Sequence, residues 1–235
     1  MDARRLDPPK TRLDPKTLRC GEVEERLRSE GLWPVAGTDE VGRGPLAGPV
    51  VAAAVVLRDD AELPGLGDSK ALRPAAREAL VPQIQSAALA WAVAESDVAQ
   101  IDELGILVAS MRAMRQACEQ VWQQLSGAGG VLPAVWAVDG HLPVPDFTRA
   151  PQRLVVKGDA RSRAIAAASV LAKVERDRQM VAAAARFPGY GFERHVGYGT
   201  AAHLEALQRL GPCLLHRHSF APVRAVAGAR QASLW

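Results

Sequence analysis

The stretch TDEVGRGPLAGPVVAAAVVL, Thr38 to Leu57, limits the fold more than any other part of the chain. From Val35 onward, two segments rich in small and β-branched residues flank a polar turn, Gly42-Arg43-Gly44-Pro45. Such a pattern reads as a strand pair joined by a glycine loop. Beyond Leu57 the pattern alternates. Helical stretches are expected at about Pro74–Ser86 and Asp97–Gln124, with an apolar strand, Ala87–Ala94, between them. After the break at Gly127–Gly130, Ala134–Val138 reads as a short buried strand ending at Asp139, and Arg153–Val156 as another ending just before Asp159. A long helix is expected from Asp159 to about Arg186, and a shorter one capped by Thr200 and stopped at Gly211-Pro212. An early strand pair followed by mixed strands and helices favours an α/β layer architecture, with no evident linker between residues 35 and 212.

The flanks differ from this body. Residues 1–16 hold an echo, RLDPPK and RLDPK, too rich in proline and charge to be buried, and read as an extended or disordered arm. Thr17–Gly31 reads as a helix, and residues 224–235 as a flexible tail. With 235 residues, 48% apolar and 23% charged, the chain suits a globular protein of one or two domains. Cys20, Cys118 and Cys213 are far apart and odd in number, which fits free thiols in a reducing cytoplasm and offers no zinc site. The longest apolar stretch, Ala47–Leu57, is short for a membrane span, and the start lacks a secretory signal.

Charge is unevenly spread. Residues 21–148 carry 9 basic and 18 acidic side chains, whereas residues 149–235 carry 14 and 5. A basic last third suits a polyanionic partner, unless folding mixes the two parts over one surface. Lys157, Arg161, Arg163, Lys173, Arg176 and Arg178 crowd around Asp159, either as a charge-laced helix exterior or as a track for phosphates.

Asp139 and Asp159 each end an apolar segment, where strand ends meet the rim of an α/β sheet, and Asp39 holds a comparable place with Glu40 beside it. One such aspartate is commonly a turn or helix cap. If all four converge, their repulsion calls for protons or bound cations. Oxygen-only ligands select hard ions, so magnesium or manganese is expected and zinc is not. In a regular strand Asp39 and Glu40 face opposite sides, so a shared site needs either a local irregularity or a role for Glu40 at its edge.

The loop Gly42-Arg43-Gly44 could bring backbone amides close to a ligand, although a glycine pair is often only a turn. Its spacing and the following strand do not match a dinucleotide fingerprint, and the motifs of serine esterases, nucleotide triphosphatases and zinc peptidases are absent. His216 and His218 read as structural or solvated. Tyr190 and Tyr198, in PGYGFERHVGYGT, could each stack on a base or sugar or pack a corner.

Taken in order, Thr38–Pro49, Asp68-Ser69-Lys70, Val138-Asp139-Gly140, Lys157-Gly158-Asp159, Ala166–Lys173 and Gly197-Tyr198-Gly199-Thr200 resemble ribonuclease HII over about residues 35–223. The late GPC and HRHSFAPV segments belong to the same likeness. It implies a ribonuclease H-like mixed sheet flanked by helices, with a helical C-terminal extension, inside residues 17–223. It also implies an endonuclease that cuts the RNA strand of RNA–DNA hybrids and incises 5′ of ribonucleotides embedded in duplex DNA. Asp39, Glu40, Asp139 and Asp159 are then the catalytic acids holding two Mn2+ or Mg2+ ions. Gly42, Arg43 and Gly44 sense the ribose 2′-hydroxyl, Tyr198 stacks at the RNA-to-DNA junction, and Lys70 contacts a phosphate. A cytoplasmic monomer is expected. Val196 stands where many relatives have lysine, which bears on one backbone contact and leaves the acids untouched. Two alternatives stay open from the residues alone, a DNA-directed nuclease of the same fold and a non-catalytic nucleic-acid-binding protein.

Overall fold

In the computed structural model, which describes residues 3–6, 18–67 and 72–232, one mixed sheet organises the chain. Its strands are Ala3–Arg5 (β1), Val35–Val41 (β2), Val50–Leu57 (β3), Ala88–Ser96 (β4), Val135–Asp139 (β5) and Gln152–Val155 (β6), in the order β1-β6-β5-β2-β3-β4. β2, β3 and β4 form an antiparallel meander. β5 runs parallel to β2, and β6 and β1 continue that parallel half. The expected strand pair is therefore β2 and β3, both interior strands of the sheet.

Helices cover both faces. They are Glu22–Ser29 (α1), Pro74–Ala87 (α2), Val98–Leu104 (α3), Ile106–Gly127 (α4), Arg163–Arg186 (α5), Phe192–His195 (α6), Ala201–Leu210 (α7) and Ala221–Ala232 (α8). Met114, Ala117 and Val121 of α4 pack on Ala36, Ala52, Ala54 and Val138. On the opposite face, Ile84 of α2 and Ala167, Ala168 and Leu171 of α5 pack on Val51, Ala53 and Val55. Alternate residues of β3 thus meet different helices, which is why VVAAAVVL is apolar throughout and buried along its whole length. α5 crosses β2 with backbone against backbone. A Cβ placed on Gly37 would lie 2.3 Å from the Ala164 carbonyl carbon and from the Ile165 nitrogen.

α1 locks the start of α5. Glu24 accepts from the Ser162 hydroxyl at 2.6 Å and from the Ala164 amide at 3.0 Å, and Glu22 pairs with the buried Arg161. These bonds fix the segment that carries Asp159.

Four expectations are corrected. The Asp97–Gln124 pattern is two helices, because Gly105, at φ 79, ends α3 and begins α4. The long helix starts at Arg163: Lys157 is left-handed at φ 53, Gly158–Ala160 form a single 3-10 turn, and the Ser162 side chain caps Ile165 N. The segment read as a tail from residue 224 is helical to Ala232, since Val223 and Val226 pack with Leu46, Leu207 and Phe220. The arm is extended at Ala3–Arg5, as expected, but it is tied down there, pairing with β6 while Leu6 is buried beside Val23 and Val155. The rest of the arm, Lys70 with its neighbours Asp68 and Ser69, and residues 233–235 lie outside the described residues. Thr200 caps α7 and Gly211 ends it, as its sequence predicts.

Candidate active site

β2 and β5 are parallel neighbours, and their pairing ends at Thr38 and Val138. One residue further along each strand stands an aspartate, Asp39 and Asp139, at the carboxyl end of the parallel half of the sheet, where α/β folds bind ligands. Asp39 is 6% exposed. Burial raises its carboxyl well above the usual range, the charges of Asp139 and Glu40 add to the rise, and hydrogen bonds from Ser169 and from the Glu40 amide oppose it. Burial also raises Glu40; Arg43, 3.3 Å away, pulls it back, and Asp139 pushes it up again.

The pairing of β2 with β3 runs without a register shift from Ala36 to Val41, so no bulge turns Glu40 toward Asp39. β5 stops at Asp139 while β2 continues to Val41, and the charge of Asp139 still reaches Glu40 although strand alternation puts Glu40 on the other face from Asp39. Asp139 accepts a 2.7 Å bond from Gly158 N, the residue before Asp159. Asp159 is itself buried, within the 3-10 turn. Asp39, Glu40 and Asp139 thus form one electrostatic group, and Asp159 stands next along the chain from the Gly158 amide that bonds to Asp139.

The loop leaves β2 directly after these acids. Gly42 has φ 97, and a Cβ there would lie 2.3 Å from the Arg176 guanidinium, so no other residue fits without displacing that side chain. A Cβ on Gly44 would touch the Tyr198 ring at 3.8 Å. Tyr198 is 41% exposed, whereas Tyr190 packs against Phe192 and donates to Gly211 O at 2.6 Å. Of the two tyrosines of one glycine-rich motif, Tyr190 is a packed corner, and Tyr198 is a part-exposed ring beside the loop with the Arg176 guanidinium 6.0 Å from its centre.

A family model described as ribonuclease HII matches residues 36–223. The chain is 50% identical over 202 residues to the ribonuclease HII of Syntrophotalea carbinolica, covering 86% of this chain and 91% of that one. It is 49% identical to that of Rhizobium leguminosarum bv. trifolii, covering 89% and 87%. The chain belongs to the ribonuclease HII family. It is accordingly an endonuclease of the ribonuclease H type. Among solved structures, the fold is shared with the ribonuclease H2 of Pyrococcus horikoshii, at a TM-score of 0.68, 23% identity and coverage of 84% and 98%. A Bst-RNase HIII crystallised with Mn2+ also shares it, at a TM-score of 0.65, 20% identity and coverage of 84% and 70%.

Most of the basic crowd near Asp159 is taken up by partners within the chain. Arg161 pairs with Glu22, Arg178 with Glu78 and Lys173 with Asp177, Arg163 donates to Ala61 O, and Arg176 is buried. Lys157 is exposed. Folding has committed most of these charges to internal partners, and the ordinary reading of a charge-laced helix holds for them.

The histidines also serve structure. His203 Nδ1 lies 2.9 Å from Tyr198 O and must donate, which leaves its Nε2 to accept from His216 Nε2 at 3.1 Å. His216 Nδ1 then accepts from Cys213 N at 2.9 Å. Both rings are buried and neutral, and burial brings His216 down to about 4. Sequence reasoning missed Arg217, which is buried under the glycine loop and whose partners are all distant along the chain. No helix among the described residues is long and apolar enough to cross a membrane.

Proposed function

We propose that this ribonuclease cuts the RNA strand of RNA–DNA hybrids and incises 5′ of single ribonucleotides in duplex DNA, using Asp39, Glu40, Asp139 and Asp159. The observation that carries the reading is the adjacency of Asp39 and Asp139 at the carboxyl ends of two neighbouring strands, with the Gly42–Gly44 loop opening three residues later against Tyr198.

Among the described residues no three carboxylate, imidazole or thiolate groups form a ready cage for a metal. The donor set nonetheless fits a hard ion. It is oxygen-only, and Asp39 and Glu40 are driven toward protonation by burial and by a neighbouring carboxylate, a repulsion that a cation removes. Magnesium-type sites use one or two carboxylates and complete their shell with water and phosphate oxygens, so an open set is what such chemistry needs. The Mn2+ bound by the related HIII enzyme supports the same choice.

When bound, a pair of divalent ions activates the attacking water and stabilises the departing 3′-oxygen, leaving a 3′-hydroxyl and a 5′-phosphate. The chain's own residues orient that chemistry. Ser169 and the Glu40 amide hold the Asp39 carboxylate, and Gly158 N holds Asp139. The loop amides meet the 2′-hydroxyl, the group that separates RNA from DNA, and Tyr198 stacks on the sugar at the junction. Lys70 contacts a phosphate. Free thiols at Cys20, Cys118 and Cys213 support action in the cytoplasm; a monomer is proposed.

The test compares all-DNA, uniform hybrid and single-ribonucleotide duplexes, with and without Mn2+ or Mg2+. Cutting confined to the two ribose-containing duplexes and dependent on metal is expected. Equal cutting of all-DNA would favour a DNA-directed nuclease, and salt-sensitive binding without turnover would favour a non-catalytic protein.

A further inference from the structure

Two arginines lie fully buried beneath the loop after β2, and among the described residues neither is paired with a carboxylate. Arg217 donates from Nε to Gly48 O at 2.9 Å, from Nη1 to Pro45 O at 2.8 Å and Arg43 O at 3.2 Å, and from Nη2 to Gly42 O at 2.6 Å and Pro49 O at 3.1 Å. Arg176 donates to Pro49 O at 3.0 Å and Ala47 O at 3.1 Å, and its third donor reaches out of the loop to Val196 O at 3.0 Å. A guanidinium is costly to bury unless its donors are satisfied, and here backbone carbonyls alone satisfy it.

That arrangement dictates where the loop's amides point. A trans peptide is planar with its C=O and N–H on opposite sides. Because Arg217 draws in the carbonyls of Gly42 and Arg43, the amides of Arg43 and Gly44 are turned away from it, and neither donates to another described residue. The loop is also tied to the neighbouring segment, since Leu46 N donates to Gly197 O at 2.8 Å. Val196 sits in the left-handed region at φ 43, unusual for a β-branched residue, with its carbonyl on Arg176.

We propose that Arg217 and Arg176 are positioning residues for ribose recognition, Arg217 by aiming the Arg43 and Gly44 amides outward and Arg176 by fixing the distance from that loop to Tyr198. The proposal rests on the ribose-dependent cutting proposed for this enzyme and adds to it a specificity device outside the acids. Neither arginine touches the reacting atoms. Their influence falls on which duplex is cut and where, and not on metal affinity.

Arg217→Lys and Arg176→Lys keep the charge but lose the fork that reaches several carbonyls at once. In Arg217→Lys, the binding preference for a single-ribonucleotide duplex over its all-DNA twin, measured with Ca2+ in place of the active metal, should fall about tenfold. In Arg176→Lys, the ratio of kcat/KM on a single-ribonucleotide duplex to that on a uniform hybrid should fall about tenfold, with Mn2+ affinity by calorimetry unchanged. Folded variants that keep both ratios, or that lose all substrates in equal measure, overturn the proposal while leaving wild-type cutting intact. A wild-type protein that cuts no ribose-containing duplex instead removes the function on which the proposal rests. Hydrogen exchange of the unmodified protein gives a second reading that does not depend on folded variants. The amides of Leu46, Gly48 and Tyr198 should open together, and a loop that exchanges about tenfold faster than the Tyr198 segment overturns the proposal.

Discussion

The amide of Gly158 donates to the Asp139 carboxylate at 2.7 Å, joining the end of β5 to the turn that carries Asp159. That one bond sets how two of the acids stand to each other, because Asp159 is the next residue in a turn held from behind by Arg161 and α1. A Cβ on Gly158 would lie 2.5 Å from Ile165 Cδ1 and 3.0 Å from Asp139 Oδ1. Gly158→Ala should therefore lower stability by about 1–3 kcal/mol by overpacking and reduce cutting roughly tenfold or more. Denaturant unfolding and single-turnover kinetics check the two parts separately.

Asp39→Asn should abolish cutting and stabilise the metal-free protein. The folded state holds Asp39 protonated to a higher pH than the unfolded chain does. Below the unfolded value both states keep the proton, and nothing is lost. As the pH rises above it the unfolded chain ionises first, so the folded state loses stability. The gain in melting temperature from Asn should thus be larger at pH 8 than at pH 4, a comparison made by thermal unfolding in chelator. A variant destabilised at both pH values would contradict the assigned burial and repulsion.

Much of this arrangement is legible in the sequence. Asp39 and Asp139 sit where apolar runs end, and strand ends are where a parallel sheet gathers its chemistry. Less legible is anything decided by a partner far along the chain. The Asp159 segment reads as helix because its apolar spacing is helical, but the Gly158 bond to Asp139 and the Ser162 cap start α5 later. Gly105 is one glycine within a periodic run, and only its left-handed backbone reveals a break. Basic residues near Asp159 are countable from sequence, whereas the pairing of Arg161 with Glu22 and of Arg178 with Glu78 is not. Arg217 gives no local signal, since its partners lie about 170 residues earlier.

Acid should loosen the region around Tyr198. His216 titrates at about 4 in the folded protein against 6.5 when free, and His203 is shifted down as well, by burial first. Above 6.5 both states are neutral and no stability is lost; as the pH falls below it the unfolded chain takes up protons that the folded state refuses. Stability should fall between those two values, by about 1 kcal/mol or more. His203→Gln should flatten that dependence in thermal unfolding, and an unchanged slope would show that the histidine chain is not its source.

Tyr198→Ala should cost more on a single embedded ribonucleotide than on a uniform hybrid. A stacking ring contributes about 1–3 kcal/mol, so the larger loss is roughly tenfold or more in kcat/KM. A uniform hybrid offers many registers, whereas one ribonucleotide offers a single junction. Equal losses on the two substrates would remove the junction role.

The most direct measurement takes a duplex with one ribonucleotide, labelled on the ribonucleotide strand, and reads the position and ends of the product with Mn2+ or Mg2+ present. A single cut is predicted on the 5′ side of the ribonucleotide, leaving a 3′-hydroxyl and a 5′-phosphate, with no cut in the all-DNA twin. Cutting of both duplexes alike, or a cut 3′ of the ribonucleotide that leaves a cyclic phosphate, would contradict the proposed role of the acids and the glycine loop.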